Sequence, residues 1–258
     1  MYWPDVIDLK SFYASPLGQV LCRSLRRKIR DFWPDENGAR IIGVGYAAPF
    51  LTSYLDEARL TACLMPMGQG VTHWPSPAYS LKQNLSAMVE ETSLPLPDES
   101  VTRALVAHAL ENTEHGWQLL SEIWRVLEPG GRVICIVPNR SGLLAHVETT
   151  PFGQGRPFSL GQLKAILRDS QLTPSRHAMA GFFAPFHSKM ALRISRVCEP
   201  LFSVLLRPLG GLIVMEAEKQ VYALRAKGKP ERKYKPILVP AAPQPALTLN
   251  RSTSYGQQ

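Results

Sequence analysis

The sequence predicts an α/β protein built around a mostly parallel β-sheet. Short segments that are apolar throughout alternate with segments of helical periodicity along residues 40–137. Strands without polar alternation are typical of parallel sheets whose two faces are both covered by helices. The chain has 258 residues, 45 % of them hydrophobic, so it can bury a substantial core.

Each element follows from local signals. A helical segment is expected from Asp8 to Phe32 with a break at Ser15-Pro16, because serine suits the cap and proline the first turn of a helix. Apolar runs predict strands at residues 40–44, 59–65, 84–90, 103–107, 132–137, 179–186 and 212–224. Periodicity predicts further helices at residues 49–58, 114–127, 159–169 and 187–206.

Composition excludes several classes of protein. The four cysteines are far apart and form no CxxC pair, so neither a metal site nor a disulfide scaffold is expected. The sequence contains no run of 18 apolar residues, so no membrane-spanning helix is expected. The N-terminus lacks the pattern of a signal peptide, so a cytoplasmic location is expected.

The net charge of +8 is concentrated near the C-terminus. Residues 226–258 contain six basic residues, one acidic residue and five prolines, which predicts a disordered basic tail. We therefore divide the chain into an N-terminal helical segment (1–39), a central domain (40–225) and this tail. Nucleic-acid binding through the tail is one hypothesis, although only Tyr234 and Tyr255 are available there for base stacking.

Two segments carry a resemblance to a known family. Residues 94–111 read LPLPDESVTRALVAHALE, and residues 120–139 read LSEIWRVLEPGGRVICIVPN. Together they resemble the class I S-adenosylmethionine-dependent methyltransferases, specifically the type 11 group. The resemblance implies a Rossmann-like fold with a seven-stranded, mostly parallel sheet and S-adenosylmethionine as the cofactor. It identifies no methyl acceptor.

The family's glycine-rich turn is altered in this chain. Glycines after the first strand let backbone N–H groups approach a ligand. In this chain the turn contains Gly43, Gly45, Tyr46 and Ala47, and Pro49 stands at the position of the family's third glycine. The resemblance implies that the first four of these residues contact the cofactor. The alternative is a tight strand–helix connection that binds no ligand.

Further cofactor contacts are expected after the second and third strands. The family has an acidic ribose acceptor after the second strand, whereas this chain offers the amide of Gln69. Glu90 matches the acidic residue that contacts the adenine amino group, and Glu91 beside it is included in the predicted cofactor site. The alternative for Glu90 is a solvated charge at the end of a strand.

His108 is the predicted catalytic residue. It ends the fourth strand, where ligands bind in open α/β sheets, and the resemblance places this position beside the methyl donor. A neutral imidazole there can act as general base for an oxygen or nitrogen nucleophile. The alternative is a polar residue that closes the strand. Glu111 and His115 are expected at the surface.

A loop rich in Gly, Pro and Phe follows the fifth strand at residues 149–159. We predict a substrate lid with Phe152 and Phe158 as walls and Arg156 as an anion anchor. The alternative is a packed loop that leads into the next helix.

The helix expected at residues 187–206 is basic and amphipathic, which is compatible with peripheral membrane contact or with ordinary packing. For the whole chain, the main hypothesis is a methyltransferase acting on a small molecule, lipid or protein side chain. The altered turn and the missing ribose carboxylate favour the alternative, an inactive methyltransferase-like protein that acts by binding a partner.

Overall fold

The computed structural model describes residues 3–76, 83–147, 150–181 and 210–220. Its centre is one sheet of seven strands in the order β3-β2-β1-β4-β5-β7-β6. The strands are β1 Arg40–Gly45, β2 Leu60–Pro66, β3 Ser86–Val89, β4 Val101–Ala107, β5 Leu127–Pro138, β6 Leu172–Ala180 and β7 Leu212–Lys219.

The sheet is parallel from β3 to β5, and β7 runs antiparallel to both of its neighbours, β5 and β6. The predicted α/β fold with a mostly parallel, seven-stranded sheet is thereby confirmed. The chain order reverses between β1 and β4, which are adjacent in the sheet. Ligands of open α/β sheets bind at such a reversal, beyond the carboxyl ends of the strands.

Six α-helices surround the sheet in the described part of the chain: α1 Val6–Ala14, α2 Pro16–Phe32, α3 Ala48–Leu51, α4 Gly116–Val126, α5 Pro151–Gln154 and α6 Leu160–Asp169. Two short 3-10 helices span Thr52–Tyr54 and Leu143–His146. The predicted break at Ser15-Pro16 separates α1 from α2, and the Ser15 hydroxyl accepts a hydrogen bond from the Gly18 N–H.

Two predicted elements are wrong in extent. The helix expected at 49–58 is one α-turn followed by a 3-10 turn, because the Thr52 and Ser53 hydroxyls donate to the carbonyls of Ala48 and Phe50. A strand was expected at 179–186, but the observed strand β6 begins earlier, at Leu172, and ends at Ala180. Residues 182–186 lie outside the described part. Because β6 is an edge strand with an exposed middle, no apolar run marks it in the sequence.

The two faces of the sheet bury separate hydrophobic clusters. On one face, α1, α2 and α3 pack against β1, β4 and β5, so the N-terminal helical segment shares a core with the sheet. On the other face, α4 and α6 cover the same strands. This arrangement leaves the carboxyl ends of β1, β2 and β4 beneath the N-terminal helices.

A buried carboxylate fastens α2 to the sheet. Glu216 of β7 accepts hydrogen bonds from the indole N–H of Trp33 at 3.2 Å and from the Arg176 guanidinium at 2.8 and 3.1 Å. Arg176 also donates to the carbonyl of Phe32 at 2.7 Å. The C-terminal end of α2 is therefore joined to β6 and β7.

Two predicted segments, the amphipathic helix at 187–206 and the tail at 226–258, lie outside the described residues. The last described strand is β7, which ends at Lys219, and residues 221–224 of the longer predicted strand also lie outside. Within the described part, no helix is both long enough and apolar enough to cross a bilayer.

Candidate cofactor and acid–base site

Helix α1 lies across the carboxyl edge of the sheet. At its start, the Val6 N–H donates to the carbonyl of Gln69, just after β2, at 2.9 Å. At its end, the Tyr13 hydroxyl is 2.8 Å from Nε2 of His108, just after β4. The helix thus passes over the ends of β2, β1 and β4, where the sequence predicts the cofactor.

The turn after β1 is packed tightly against β4. Gly45 has a φ of +83°, and a Cβ there would collide with the carbonyl oxygen of Ala107. The next residue, Tyr46, donates its N–H to the same carbonyl at 2.8 Å. A Cβ on Gly43 would lie 2.5 Å from Cβ of Ala47. Both glycines therefore allow close packing within the protein, a role that requires no ligand.

An aromatic cluster fills the space above the reversal between β1 and β4. The Tyr13 ring stacks on Tyr46 with centroids 5.7 Å apart and meets the edge of Phe50 at 5.5 Å. The imidazole of His108 lies 4.3 Å from the ring of Phe152, in α5. Four separate segments meet here, and the cluster shields His108 from solvent.

A cavity of about 410 Å³ opens beside this cluster, on the β2 side of the turn. The turn contributes Tyr46, Ala48 and Pro49, α1 contributes Lys10, and the segment 72–76 after β2 forms another wall. Its volume lies in the range of small-molecule sites, about 300–1,000 Å³. The cavity therefore adjoins the turn where the resemblance places the cofactor.

Gln69 is buried at 1 % exposure after β2, and neither its amide oxygen nor its amide nitrogen has a hydrogen-bond partner among the described residues. A buried amide without partners costs about 1–3 kcal/mol for each unmade bond. A buried amide of this kind needs a hydrogen-bond partner, and no described residue provides one. A ligand hydroxyl is one such partner.

The two predicted acidic contacts are differently placed. Glu90 is exposed after β3 and accepts a hydrogen bond from the Thr92 hydroxyl at 2.9 Å. Glu91 is half-buried and accepts a hydrogen bond from the Thr113 hydroxyl at 3.2 Å. The structure thus leaves Glu90 open to solvent and ties Glu91 to the loop after β4.

His108 is fully buried in a left-handed conformation with a φ of +55°. Burial lowers the pKa of its imidazole to about 3, so the ring is neutral at physiological pH. Its Nε2 faces Tyr13, and its Nδ1 lies 3.5 Å from Oε1 of Glu111. Neither nitrogen is open to solvent.

Glu111 corrects one sequence prediction. It is fully buried, whereas His115, expected at the surface with it, is indeed exposed. The turn after β4 directs Glu111 inward, and Gly155 covers it so closely that a Cβ there would lie 2.6 Å from Cγ of Glu111. Burial raises the pKa of this carboxyl to about 8. In the described part of the chain, no other residue forms a hydrogen bond with either carboxyl oxygen.

Asn112 and Tyr13 were also missed by the sequence analysis. Asn112 is buried, donates its amide N–H to the carbonyl of His108 at 3.2 Å and leaves its oxygen without a partner. The spacing of His108 and Glu111 after a buried strand is a local signal that could have revealed the pair. No local signal connects Tyr13 to a histidine 95 residues later.

The predicted lid loop forms helix α5 and the segment before α6. Phe152 is buried against His108, and Phe158 is buried where its N–H donates to the carbonyl of Pro138 at 2.9 Å. Arg156 has an exposed side chain, and its backbone N–H donates to the carbonyl of Glu111 at 2.8 Å. The structure brings Phe152 to the catalytic candidate and leaves Arg156 at the surface.

Comparisons with known proteins agree with this architecture. Residues 70–135 match the family model described as Methyltransferase domain. The mitochondrial 2-methoxy-6-polyprenyl-1,4-benzoquinol methylase of Drosophila melanogaster is 46 % identical over 43 residues, which are 17 % of this chain and 14 % of that protein. An uncharacterized methyltransferase of Mycobacterium bovis is 26 % identical over 134 residues, or 51 % of this chain and 50 % of that protein. The chain spans about half or less of these curated relatives.

A solved structure shares the fold over most of the chain. It is an S-adenosylmethionine-dependent methyltransferase from Thermotoga maritima, described as a possible histamine N-methyltransferase. The TM-score is 0.58 at 15 % identity, covering 83 % of this chain and 96 % of that one. Residues 70–135 thus match the methyltransferase family model, and the chain shares its fold with S-adenosylmethionine-dependent methyltransferases of known structure. The family match implies S-adenosylmethionine as the cofactor.

The residues at the carboxyl edge fit this cofactor. The cavity adjoins the turn after β1, and Gln69 presents two buried amide atoms without partners after β2, where the family has its ribose acceptor. The backbone of residues 46–48, the amide of Gln69 and the carboxylate of Glu90 are the groups that would hold it.

Proposed function

We propose that the protein is an S-adenosylmethionine-dependent methyltransferase acting on a small molecule, lipid or protein side chain. The observation that carries this proposal is the cavity beside the turn after β1, because Tyr46, Ala48 and Pro49 of that turn line it. The family match and the fold support the same activity.

When bound, the cofactor supplies an electrophilic methyl group on a sulfonium. The chain's own residues then provide three things. The walls of the cavity align the reactants and exclude water, which is the main catalytic contribution in a displacement of this kind. Gln69 offers an amide acceptor and donor to ligand hydroxyls. The neutral His108 belongs to a system that can move a proton from the acceptor.

Calorimetric titration of the full chain with S-adenosylmethionine and S-adenosylhomocysteine tests the proposal. We expect saturable binding of both, and a loss of about 5- to 30-fold in affinity for Gln69→Leu, since a hydrogen bond to a ligand is worth about 1–2 kcal/mol. Gln118→Leu, an exposed glutamine on α4, is the matched control and keeps wild-type affinity. Absence of heat at millimolar concentrations of both ligands would refute the proposal.

Gln69→Glu provides an independent gain-of-function test. A carboxylate accepts hydrogen bonds from ligand hydroxyls more strongly than an amide does. We expect this variant to bind S-adenosylmethionine more tightly than the wild type and to unfold at a lower urea concentration, because the free protein then buries an unpaired charge. Weaker binding in a folded variant would exclude Gln69 from the ribose site.

One observation favours a second candidate function, an inactive methyltransferase-like protein that acts by binding a partner. The aromatic rings of Tyr13 and Tyr46 occupy the space above the reversal between β1 and β4, and Gly45 makes room for β4. The calorimetric titration separates the two functions, because this candidate predicts a folded protein that releases no heat with either ligand.

A further inference from the structure

We propose that Tyr13, His108 and Glu111 form a buried proton relay in which Tyr13, and not His108, meets the methyl acceptor. The proposal rests on the methyltransferase function proposed above. It assigns a catalytic role to α1, which precedes the sheet in the chain, and it gives Glu111 and His108 the role of positioning residues behind the phenol.

Burial leaves His108 no nitrogen that an acceptor from outside can reach. The Tyr13 hydroxyl is 2.8 Å from Nε2, and Oε1 of Glu111 is 3.5 Å from Nδ1. Both His108 and Glu111 are 0 % exposed, whereas Tyr13 retains 8 % exposure. Of the three groups, only Tyr13 can touch a molecule that enters from outside.

Tyr13 also packs against a residue that lines the cavity. Its ring stacks on Tyr46, which lines the cavity, and Lys10, one turn earlier on α1, lines it as well. The turn after β1 and helix α1 therefore lead from the cavity to the relay.

The directions of the hydrogen bonds follow from protonation. Burial raises the pKa of Tyr13 well above its usual value, so its hydroxyl stays protonated and donates to Nε2. An imidazole that accepts at Nε2 while neutral carries its own proton on Nδ1. The nearest carboxyl oxygen is Oε1 of Glu111 at 3.5 Å, and the two atoms form no hydrogen bond in the resting structure, so the last transfer requires them to approach each other.

Glu111 is suited to be the terminal proton acceptor. No other described residue donates a hydrogen bond to its carboxyl oxygens, and burial holds the pKa of the carboxyl at about 8, so the carboxylate that can accept a proton forms as the pH rises through this value. The titratable groups near Glu111 are His108 in the same turn, Tyr13 on α1 and Cys135 on β5, and burial raises the pKa of the Cys135 thiol. All three are uncharged at neutral pH.

The proton transfers balance without a further reactant. As the acceptor's oxygen or nitrogen bonds to the methyl carbon, sulfur keeps the electron pair of the broken carbon–sulfur bond, and the acceptor's proton passes to Oη of Tyr13. The phenol's own proton moves to Nε2 of His108, and the Nδ1 proton moves to Oε1 of Glu111. Glu111 finishes as the acid, and His108 finishes neutral with its proton on Nε2. After the methylated product leaves, the reverse transfers return one proton through His108 and Tyr13 to solvent, which restores the carboxylate and the starting tautomer.

The deciding experiment is side-chain NMR of the full chain labelled with ¹⁵N-histidine, recorded from pH 5.5 to 9.5 without any ligand. We expect His108 to be neutral throughout and to carry its proton on Nδ1. Its nitrogen shifts should show one inflection near pH 8, where the adjacent Glu111 titrates. A proton on Nε2, or the absence of that inflection, would overturn the relay.

Variants assign the inflection. Glu111→Gln should remove it, whereas Glu114→Gln, an exposed glutamate three residues later, should leave it unchanged. Tyr13→Phe keeps the ring packing, removes the bond to Nε2 and should shift that nitrogen's resonance alone. If Glu111→Gln leaves the inflection in place, Glu111 is not the coupled group and the proposal is wrong.

Catalysis supplies the last discriminating result. Tyr13→Phe should lower the rate of methyl transfer by about 10²- to 10⁴-fold, the usual contribution of a positioned acid–base group, with S-adenosylmethionine affinity unchanged. A wild-type rate in this variant would show that the acceptor replaces the phenol at Nε2 and would overturn the role of Tyr13. If calorimetry detects no binding of S-adenosylmethionine, the methyltransferase proposal is refuted. If the NMR titration does not show the expected tautomer and inflection, only the relay is refuted.

Discussion

Gly45→Ala should destabilise the fold far more than the same substitution at Gly38. Both glycines have positive φ angles, +83° and +75° respectively. A Cβ at Gly45 would collide with the carbonyl oxygen of Ala107 and lie 2.9 Å from Cβ of Ala109. At Gly38 no atom lies within 4 Å of the added carbon. The pair thus separates the cost of the clash from the cost of the backbone conformation.

The magnitudes follow from these two terms. A left-handed conformation costs an L-residue about 1–2 kcal/mol, which both variants bear. Forcing an extra carbon against a packed backbone adds about 1–3 kcal/mol at Gly45. We therefore expect the free energy of unfolding to fall by about 1–2 kcal/mol for Gly38→Ala and by about 2–5 kcal/mol for Gly45→Ala.

Urea unfolding followed by tryptophan fluorescence measures both values under identical conditions. Equal losses in the two variants would refute the argument that β1 and β4 require the missing side chain at Gly45. The result also bears on tests of function. Weaker cofactor binding in a Gly45 variant reports on folding as well as on the site, which is why Gln69 is the better probe.

Three further predictions concern stability. Glu216→Gln should lower the free energy of unfolding by about 2 kcal/mol, because the acceptor of the hydrogen bonds from Arg176 loses its charge. An unchanged urea midpoint would show that the Arg176 pair adds nothing to stability. Ser159→Ala removes a capping box at the start of α6 and should lower the free energy of unfolding by about 1 kcal/mol in the same assay. An unchanged value would show that the cap is dispensable. Stability should also fall as pH rises from about 4.5 to 8, since burial raises the pKa of Glu111 from 4.5 to about 8 and the folded state holds a proton that the unfolded chain releases. Glu111→Gln should flatten this part of the pH profile, and a slope that persists in the variant would assign it to other groups.

The fold could be predicted from the sequence wherever its signals are local. Apolar runs mark β1, β4 and β5, and the serine–proline pair marks the start of α2. The edge strand β6 escaped because its exposed middle residues break the apolar pattern. The short α3 was overestimated because the sequence pattern does not show hydroxyl groups bonding back to the helix carbonyls.

The candidate site was predictable only in part, because its groups come from distant segments. His108 was found because strand ends in α/β folds carry ligands. The burial of Glu111 depends on Gly155, and the contact of Tyr13 depends on how α1 crosses the sheet. Neither arrangement is encoded near the residue itself. At Gly45 the structure shows close packing against β4, and the ligand contact that the family motif suggests there stays a prediction.

The hydrogen bond between Trp33 and Glu216 cannot form until the ribosome has synthesised β7. These residues are 183 positions apart, and β7 lies between β5 and β6 in the sheet. At about 5–20 residues per second, a ribosome needs roughly 10–40 s after making α2 to produce its partner strand. Throughout that interval the nascent helix lacks its final anchor. Helix α2 is therefore among the last segments to reach its complete native packing, although it precedes every strand of the sheet in the chain.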